Sequence, residues 1–313
     1  MTKTAITVIS VLVIFLLFTS YLLINTLQDR YGGPQDLLPN NYTVGISDIA
    51  SYSDSQLQFY PNMRFNHNDI TYRINPSCTF EQADQFGSAA DLLNDKVKGL
   101  IITQEPWTNE QADIEVLCGK EYLESDDLYV AGEGGPKFVM NQSLFTIILG
   151  GKVVLYRDSC SYNVELHELL HVFGFKHSNN KQSVMYNNSL CSQFLTGDII
   201  NEMARLYAYE PLPELYFEEM VVVKHGAYLD FNTTVENQGM INASEISMDL
   251  LVGDKVIQRF ELGDVNFGGG RILRTKNIQL PNRDIKEVTF IIDPDNKTRE
   301  YTKENNKITL EVK

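Results

Sequence analysis

The chain has 313 residues, enough for two domains and an extension, with 41 acidic against 26 basic side chains and a formal net charge of −15 at pH 7. That balance argues against a nucleic-acid partner, whose phosphates it would repel, and favours a soluble, self-repelling surface. Basic substrates are compatible with it, but a solvated acidic face is the commoner meaning.

After a four-residue tail (1–4), residues 5–27 contain no charge. As a helix they would span about 34 Å, enough to cross a bilayer. A cleaved signal peptide usually has a shorter apolar core and a small-residue cleavage site, so an uncleaved single-pass anchor is the expectation. Flanking charge does not set its orientation, because Lys3 and the amino terminus face Arg30 beside Asp29. The four cysteines do better. Cys78, Cys118, Cys160 and Cys191 form no C-x-x-C pair, and their even number and wide spacing suggest two disulfides in an oxidising compartment, with four buried thiols as the alternative. Six N-x-S/T triplets, at Asn41, Asn141, Asn187, Asn232, Asn242 and Asn296, fit an extracellular location at the cell membrane, or secretion if the segment is cleaved.

Residues 28–66 are polar, with Pro34, Pro39 and Pro61, and read as a stalk. Ile70, Tyr72 and Ile74 then alternate as in a half-buried strand. Thr79 and Gln82 form a capping box ahead of a helical stripe of Phe80, Ala83, Phe86, Ala90, Leu93 and Val97. Ala112, Ile114, Val116 and Cys118 alternate again. Val139 to Tyr156 reads as strands that turn at Gly150 and Gly151.

Asn163 to Tyr186 reads N-V-E-L-H-E-L-L-H-V-F-G-F-K-H-S-N-N-K-Q-S-V-M-Y. His167 and His171 lie one helical turn apart on one face, with Glu168 beside them. Asn163 suits the N-cap of this helix, and Gly174 the left-handed residue that ends it. His177 follows as a third imidazole. Three neutral imidazoles suit one Zn²⁺ with an open fourth position. Of five histidines in the chain, three fall on this pattern.

H-E-x-x-H-x-x-G-x-x-H with Met185 downstream resembles the metzincin metalloproteases, the matrixin branch most of all. The resemblance implies an α+β zincin-like catalytic domain, zinc on His167, His171 and His177, Glu168 as general base, and Met185 in a Met-turn beneath the metal. Leu170 and Asn187 depart from the matrixin pattern, which has glycine and proline at these places. The first alters packing behind the helix; the second leaves the pocket wall undefined. No cysteine precedes Cys78, so a pro-segment cysteine that caps the zinc is not supported. Cys78 and Cys118 bracket the first helix while Cys160 and Cys191 flank the zinc motif, which favours local pairing among three connectivities. Thr196 caps a last helix with Ile199, Met203, Leu206 and Tyr207 on one face. The catalytic domain thus covers 67–210.

Pro211 and Pro213 mark a linker (211–216). Residues 217–313 carry period-2 runs, at Leu229–Val235, Ile246–Val252, Val288–Ile292 and Ile308–Val312, separated by N-Q-G, V-G-D, F-G-G-G and D-P-D-N. They predict an all-β, seven-stranded, immunoglobulin-like sandwich. V-E-N-Q-G and D-P-D-N-K-T-R-E-Y-T-K-E-N-N resemble the CARDB family of cell-surface adhesion modules, which implies a surface protein or glycan partner. Their acidic residues read as turn formers; Ca²⁺ binding is the alternative. His67 and His225 are expected to be structural or exposed.

These readings converge on a membrane-anchored extracellular zinc endopeptidase acting on proteins or peptides. The rival is an adhesion or scaffolding protein whose zinc domain does not cut.

Overall fold

A computed structural model describes residues 35–36, 57–119, 124–125, 128–156 and 161–313. The expected anchor at 5–27 lies outside these residues. Among the described residues, no helix is long and apolar enough to cross a membrane. They fall into two compact units. One is an α+β unit that runs to Glu214 and includes Gln238–Asn242; the other is all-β, built from Leu215–Asn237 and Ala243–Lys313.

The α+β unit opens on a short strand, β1 (Met63–Phe65), inside the stretch expected to be stalk. Its side chains are fully buried, so the fold begins ahead of residue 67. Next come β2 (Asp69–Ile74), α1 (Phe80–Lys96), β3 (Ile101–Glu105), β4 (Ile114–Cys118), β5 (Gly132–Asn141), β6 (Thr146–Leu155), α2 (Ser161–Val172) and α3 (Gly197–Tyr207). The first five strands in spatial order are β1, β6, β4, β2 and β3, all parallel. Strand β5 runs antiparallel along β6 and pairs with no other described strand. Pro136 within β5 suits that edge, since it has no N–H to offer.

Thr79 and Gln82 close the expected capping box on α1, which buries Phe86, Ala89, Ala90 and Leu93. Phe80 is 87% exposed and so leaves the predicted stripe. Thr196 stands at the N-cap of α3 without a capping bond. Its hydroxyl instead meets Ser183 Oγ at 3.4 Å. The expected turn at Gly150–Gly151 is not one: both lie within β6, and the chain reverses at Gln142–Phe145. A Cβ on Gly151 would sit 2.2 Å from the Val172 side chain, so that glycine serves close packing against α2.

Arg64, on β1, is completely buried. Its guanidinium donates to the carbonyls of Leu206 and Tyr209, at the C-terminal end of α3, where main-chain acceptors lack helical partners. It also donates to Asn68 Oδ1 at 2.6 Å and to its neighbour Phe65 O at 2.8 Å, and lies 4.6 Å above the Tyr207 ring.

His67 is partly exposed and sits 3.2 Å from Asp113 Oδ1. The hydrogen bond to Asp113 raises the imidazole pKa above its ordinary 6.5. The folded state therefore binds this proton more tightly than the unfolded chain. The resulting stability is fully present below about pH 6.5 and is lost as pH rises through the raised value. An exposed pair contributes about 0.2–1 kcal/mol. His67→Gln should lower Tm by about 1–3 °C near pH 6 and by nothing measurable near pH 9. An equal deficit at both pH values would refute this pairing.

Cys78 and Cys118 form a disulfide, with Cα atoms 5.0 Å apart, that ties the entry of α1 to the end of β4. Cys191 is disulfide-bonded as well. Its expected partner, Cys160, lies outside the described residues. Closing a loop of sequence separation 40 should contribute about 2–4 kcal/mol. Denaturant titration with and without reductant should show at least that loss, and a midpoint unmoved by reduction would count against it.

The all-β unit contains β7 (Leu215–His225), β8 (Tyr228–Asn237), β9 (Ala243–Val252), β10 (Lys255–Val265), β11 (Gly270–Gln279), β12 (Glu287–Ile292) and β13 (Lys307–Glu311). One sheet orders β11, β8, β7, with a two-residue strand, Gln35–Asp36, beside β11. The other orders β10, β9, β12, β13, and every pairing is antiparallel. The first strand starts within the expected linker. Leu229, Phe231, Met248, Leu250, Phe290 and Ile292 form the core, as the alternation predicts. In the D-P-D-N turn, Asp293 accepts from the Lys297 and Thr298 amides and from Lys303 Nζ, which is turn chemistry. Asp295 pairs with Arg259. His225 is exposed and lies 3.4 Å from Asp230.

Candidate metal centre

Helix α2 packs against α1, β5 and β6, and Asn163 through Phe175 are buried without interruption. Apolar residues on several faces suit a helix enclosed on several sides. Leu170 fills one such position, fully buried in the core. Asn163 stands inside the first turn and is not the N-cap. Its amide donates to the carbonyls of Leu190 at 2.8 Å and Gln193 at 3.2 Å, clasping the loop beyond Met185.

Gly174 ends the helix at φ +87°. Phe175 N–H donates to Leu170 O and Gly174 N–H to His171 O, the paired bonds of a Schellman motif. A Cβ at Gly174 would also fall 2.5 Å from Met63 Sδ. The chain then turns back and brings His177 to the two helical histidines. The three Nε2 atoms lie 3.0, 3.1 and 3.2 Å from one another. Among the described residues this is the one group of three or more His, Cys, Asp or Glu side chains placed to hold a metal ion.

Main-chain carbonyls orient the two buried rings. His167 Nδ1 donates to Val184 O at 2.6 Å and His171 Nδ1 to Phe175 O at 2.7 Å. Protonation at Nδ1 leaves both Nε2 lone pairs free and aimed at the same point. Burial pushes the His171 pKa down to about 4 and lowers that of His167, so both are neutral at pH 7. Two unprotonated nitrogens at 3.0 Å cannot hydrogen-bond each other. Such a pair calls for an electrophile between them.

Met185 is buried in the turn Ser183–Tyr186. Val184 of that turn orients His167, and Met185 O accepts the Ser178 N–H at 2.7 Å, just past His177. The turn thus anchors both ends of the ligand set. Asn187 is exposed.

Glu168 is 6% exposed and receives the Gly134 N–H on its carboxylate. Burial raises its pKa from 4.5 to about 8, and the charge of Glu133 adds to this. The stretch Gly132–Pro136 is the first half of β5. A Cβ on Gly132 would come 2.7 Å from Glu168 Cγ, and one on Gly134 2.2 Å from Glu168 O. Glycines two apart in a strand were the available signal for this close approach.

Residues 216–310 match the CARDB family. The C-terminal unit is CARDB-like. Similar solved structures include the CARDB domain of the PF1109 protein from Pyrococcus furiosus, in complex with di-metal ions. It is 15% identical, with a TM-score of 0.28, over 32% of this chain and 87% of that one. A second is the 272–376 domain of a Methanosarcina acetivorans protein assigned to the cell surface. It is 21% identical, with a TM-score of 0.28, over 32% of this chain and 90% of that one. No curated protein matches this chain significantly.

Proposed function

We propose that the chain is a zinc-dependent endopeptidase of the metzincin type, anchored in the cell membrane through residues 5–27 with both units outside. If that segment is cleaved, the same enzyme is secreted. The observation that carries the reading is the convergence of His167, His171 and His177 beside the buried carboxyl of Glu168. The residues fit zinc. Ligands at the usual Zn–N length of about 2.0–2.1 Å on a tetrahedral ion lie about 3.3–3.4 Å apart, close to the 3.0–3.2 Å seen here. Zinc bound there supplies Lewis acidity, which acidifies water and polarises a carbonyl.

The chain's own residues do the rest. Val184 O and Phe175 O hold the imidazoles in the ligating tautomer. Glu168 takes a proton from the attacking water and returns it to the leaving amine, with its carboxylate held by Gly134 N–H. An extended peptide adds to the edge of β5 that no described strand occupies, and β5 also carries Gly132 and Gly134 against Glu168. The Cys78–Cys118 bridge supports an oxidising, extracellular setting. The CARDB-like unit holds the enzyme to a surface protein or glycan and contributes no ligand.

Metal analysis of the purified chain should find one tightly held zinc, and a diverse peptide library should be cleaved. A fully zinc-loaded chain that cleaves nothing would replace this reading with the adhesion one, in which the zinc domain binds without cutting.

A further inference from the structure

The residues just ahead of β1 belong to no recognised motif, yet they are tied to the turn that carries the third imidazole. Gln58 is 3% exposed. Its Nε2 donates to Met63 O at 2.6 Å and to Phe173 O at 3.3 Å, and its Oε1 accepts the Met63 N–H at 3.0 Å. The backbone here forms an antiparallel bridge with Phe175. Phe59 N–H donates to Gly174 O at 2.8 Å and Lys176 N–H to Leu57 O at 2.9 Å. Phe175 is also the residue whose carbonyl orients His171. The Phe59 ring stacks on the His171 imidazole, with centroids 5.9 Å apart and planes 23° from parallel. Four separate contacts therefore run from this segment to residues 171–176, immediately before His177.

We propose that Leu57–Tyr60 is an arm of the metal centre, with Gln58 a positioning residue that fixes the 173–177 turn. The proposal rests on the metal-centre reading. The helix alone places His167 and His171, but His177 stands beyond a glycine whose backbone would otherwise be free to reorient. Gln58 removes that freedom by joining Phe173 to Met63, and the paired amides of Phe59 and Lys176 hold the outgoing strand of the turn. Phe59 covers one face of His171 and restrains its ring. Losing an outer partner of a ligand set typically costs about 10–100-fold in metal affinity.

The test uses the full-length chain in detergent. Gln58→Met keeps the side-chain volume and removes all three hydrogen bonds. Phe86→Leu, in the core beside Tyr72, serves as a stability control. Well below either unfolding midpoint, zinc affinity of the metal-free Gln58→Met chain should fall about 10–100-fold, and the visible spectrum of its Co²⁺ form should change. Phe86→Leu should leave both as in wild type. Gln58→Met with wild-type zinc affinity and an unchanged cobalt spectrum overturns the proposal.

If that variant does not fold, hydrogen exchange on the wild-type chain decides. Coupling is reciprocal, so zinc should slow exchange of the Phe59 amide about tenfold or more. A Phe59 amide indifferent to zinc overturns the arm. A wild-type chain that takes up neither zinc nor cobalt overturns the metal-centre reading itself, and leaves the arm nothing to position.

Discussion

Glu168→Gln should lower peptide hydrolysis by about 10²–10⁴-fold while zinc content stays at about one per chain. Glutamine matches the shape of glutamate, and its amide oxygen can still receive the Gly134 N–H. It has no basic site for the water proton at neutral pH. Because the carboxylate is not one of the three converging donors, the metal has no reason to leave. His171→Ala should behave differently. It removes one of the two buried donors of the set and should lose metal and hydrolysis together. Single-turnover hydrolysis and metal analysis on the two variants separate these outcomes. Wild-type rates in Glu168→Gln would take the proton-transfer role away from this residue.

Arg64→Met should destabilise the α+β unit by about 3–5 kcal/mol, lowering Tm by roughly 10 °C. Methionine fills the cavity but donates nothing. It would take a donor away from the carbonyls of Phe65, Leu206 and Tyr209 and from the amide oxygen of Asn68. Each buried acceptor left unpaired costs about 1–3 kcal/mol, and partial relaxation keeps the sum below the additive value. Arg64→Lys should fall between, since one ammonium cannot span all four acceptors. The check is a denaturant titration followed by a probe within the α+β unit. A loss under about 1 kcal/mol would mean that the end of α3 finds other donors.

The two readable regions were readable for different reasons. Metal ligation needs side chains at fixed intervals on one helix, so His167, His171 and Gly174 leave a pattern that survives in one dimension. The sandwich strands were legible because each buries one face, which stamps period 2 on Leu229–Phe231 and Met248–Leu250. What stayed hidden depends on distant partners. Gln58 is an ordinary polar residue until Phe173, 115 positions away, comes to rest beside it. Gly150 and Gly151 resemble a turn because the sequence does not reveal the helix that Gly151 must let through. Asn163 and Thr196 have the chemistry of caps, but tertiary partners claim their side chains: the Leu190 and Gln193 carbonyls for one, Ser183 for the other.

Arg64 also has a consequence for how the protein is made. Its strand pairs with residues 146–148, and its guanidinium reaches Leu206, 142 positions further on. A chain built from its amino end must therefore keep a cationic, unpaired β-segment waiting through most of the synthesis of this unit. At typical elongation rates of about 5–20 residues per second, Leu206 follows Arg64 by roughly 7–28 s. Over the same interval Cys78 and Cys118 are already available to each other, so the disulfide can close on a nascent chain whose first strand still lacks its neighbours. A ribosome-stalling series should find the α1–β4 bridge formed well before the amino-terminal strand becomes resistant to protease, with resistance arriving only once the last helix has cleared the exit tunnel.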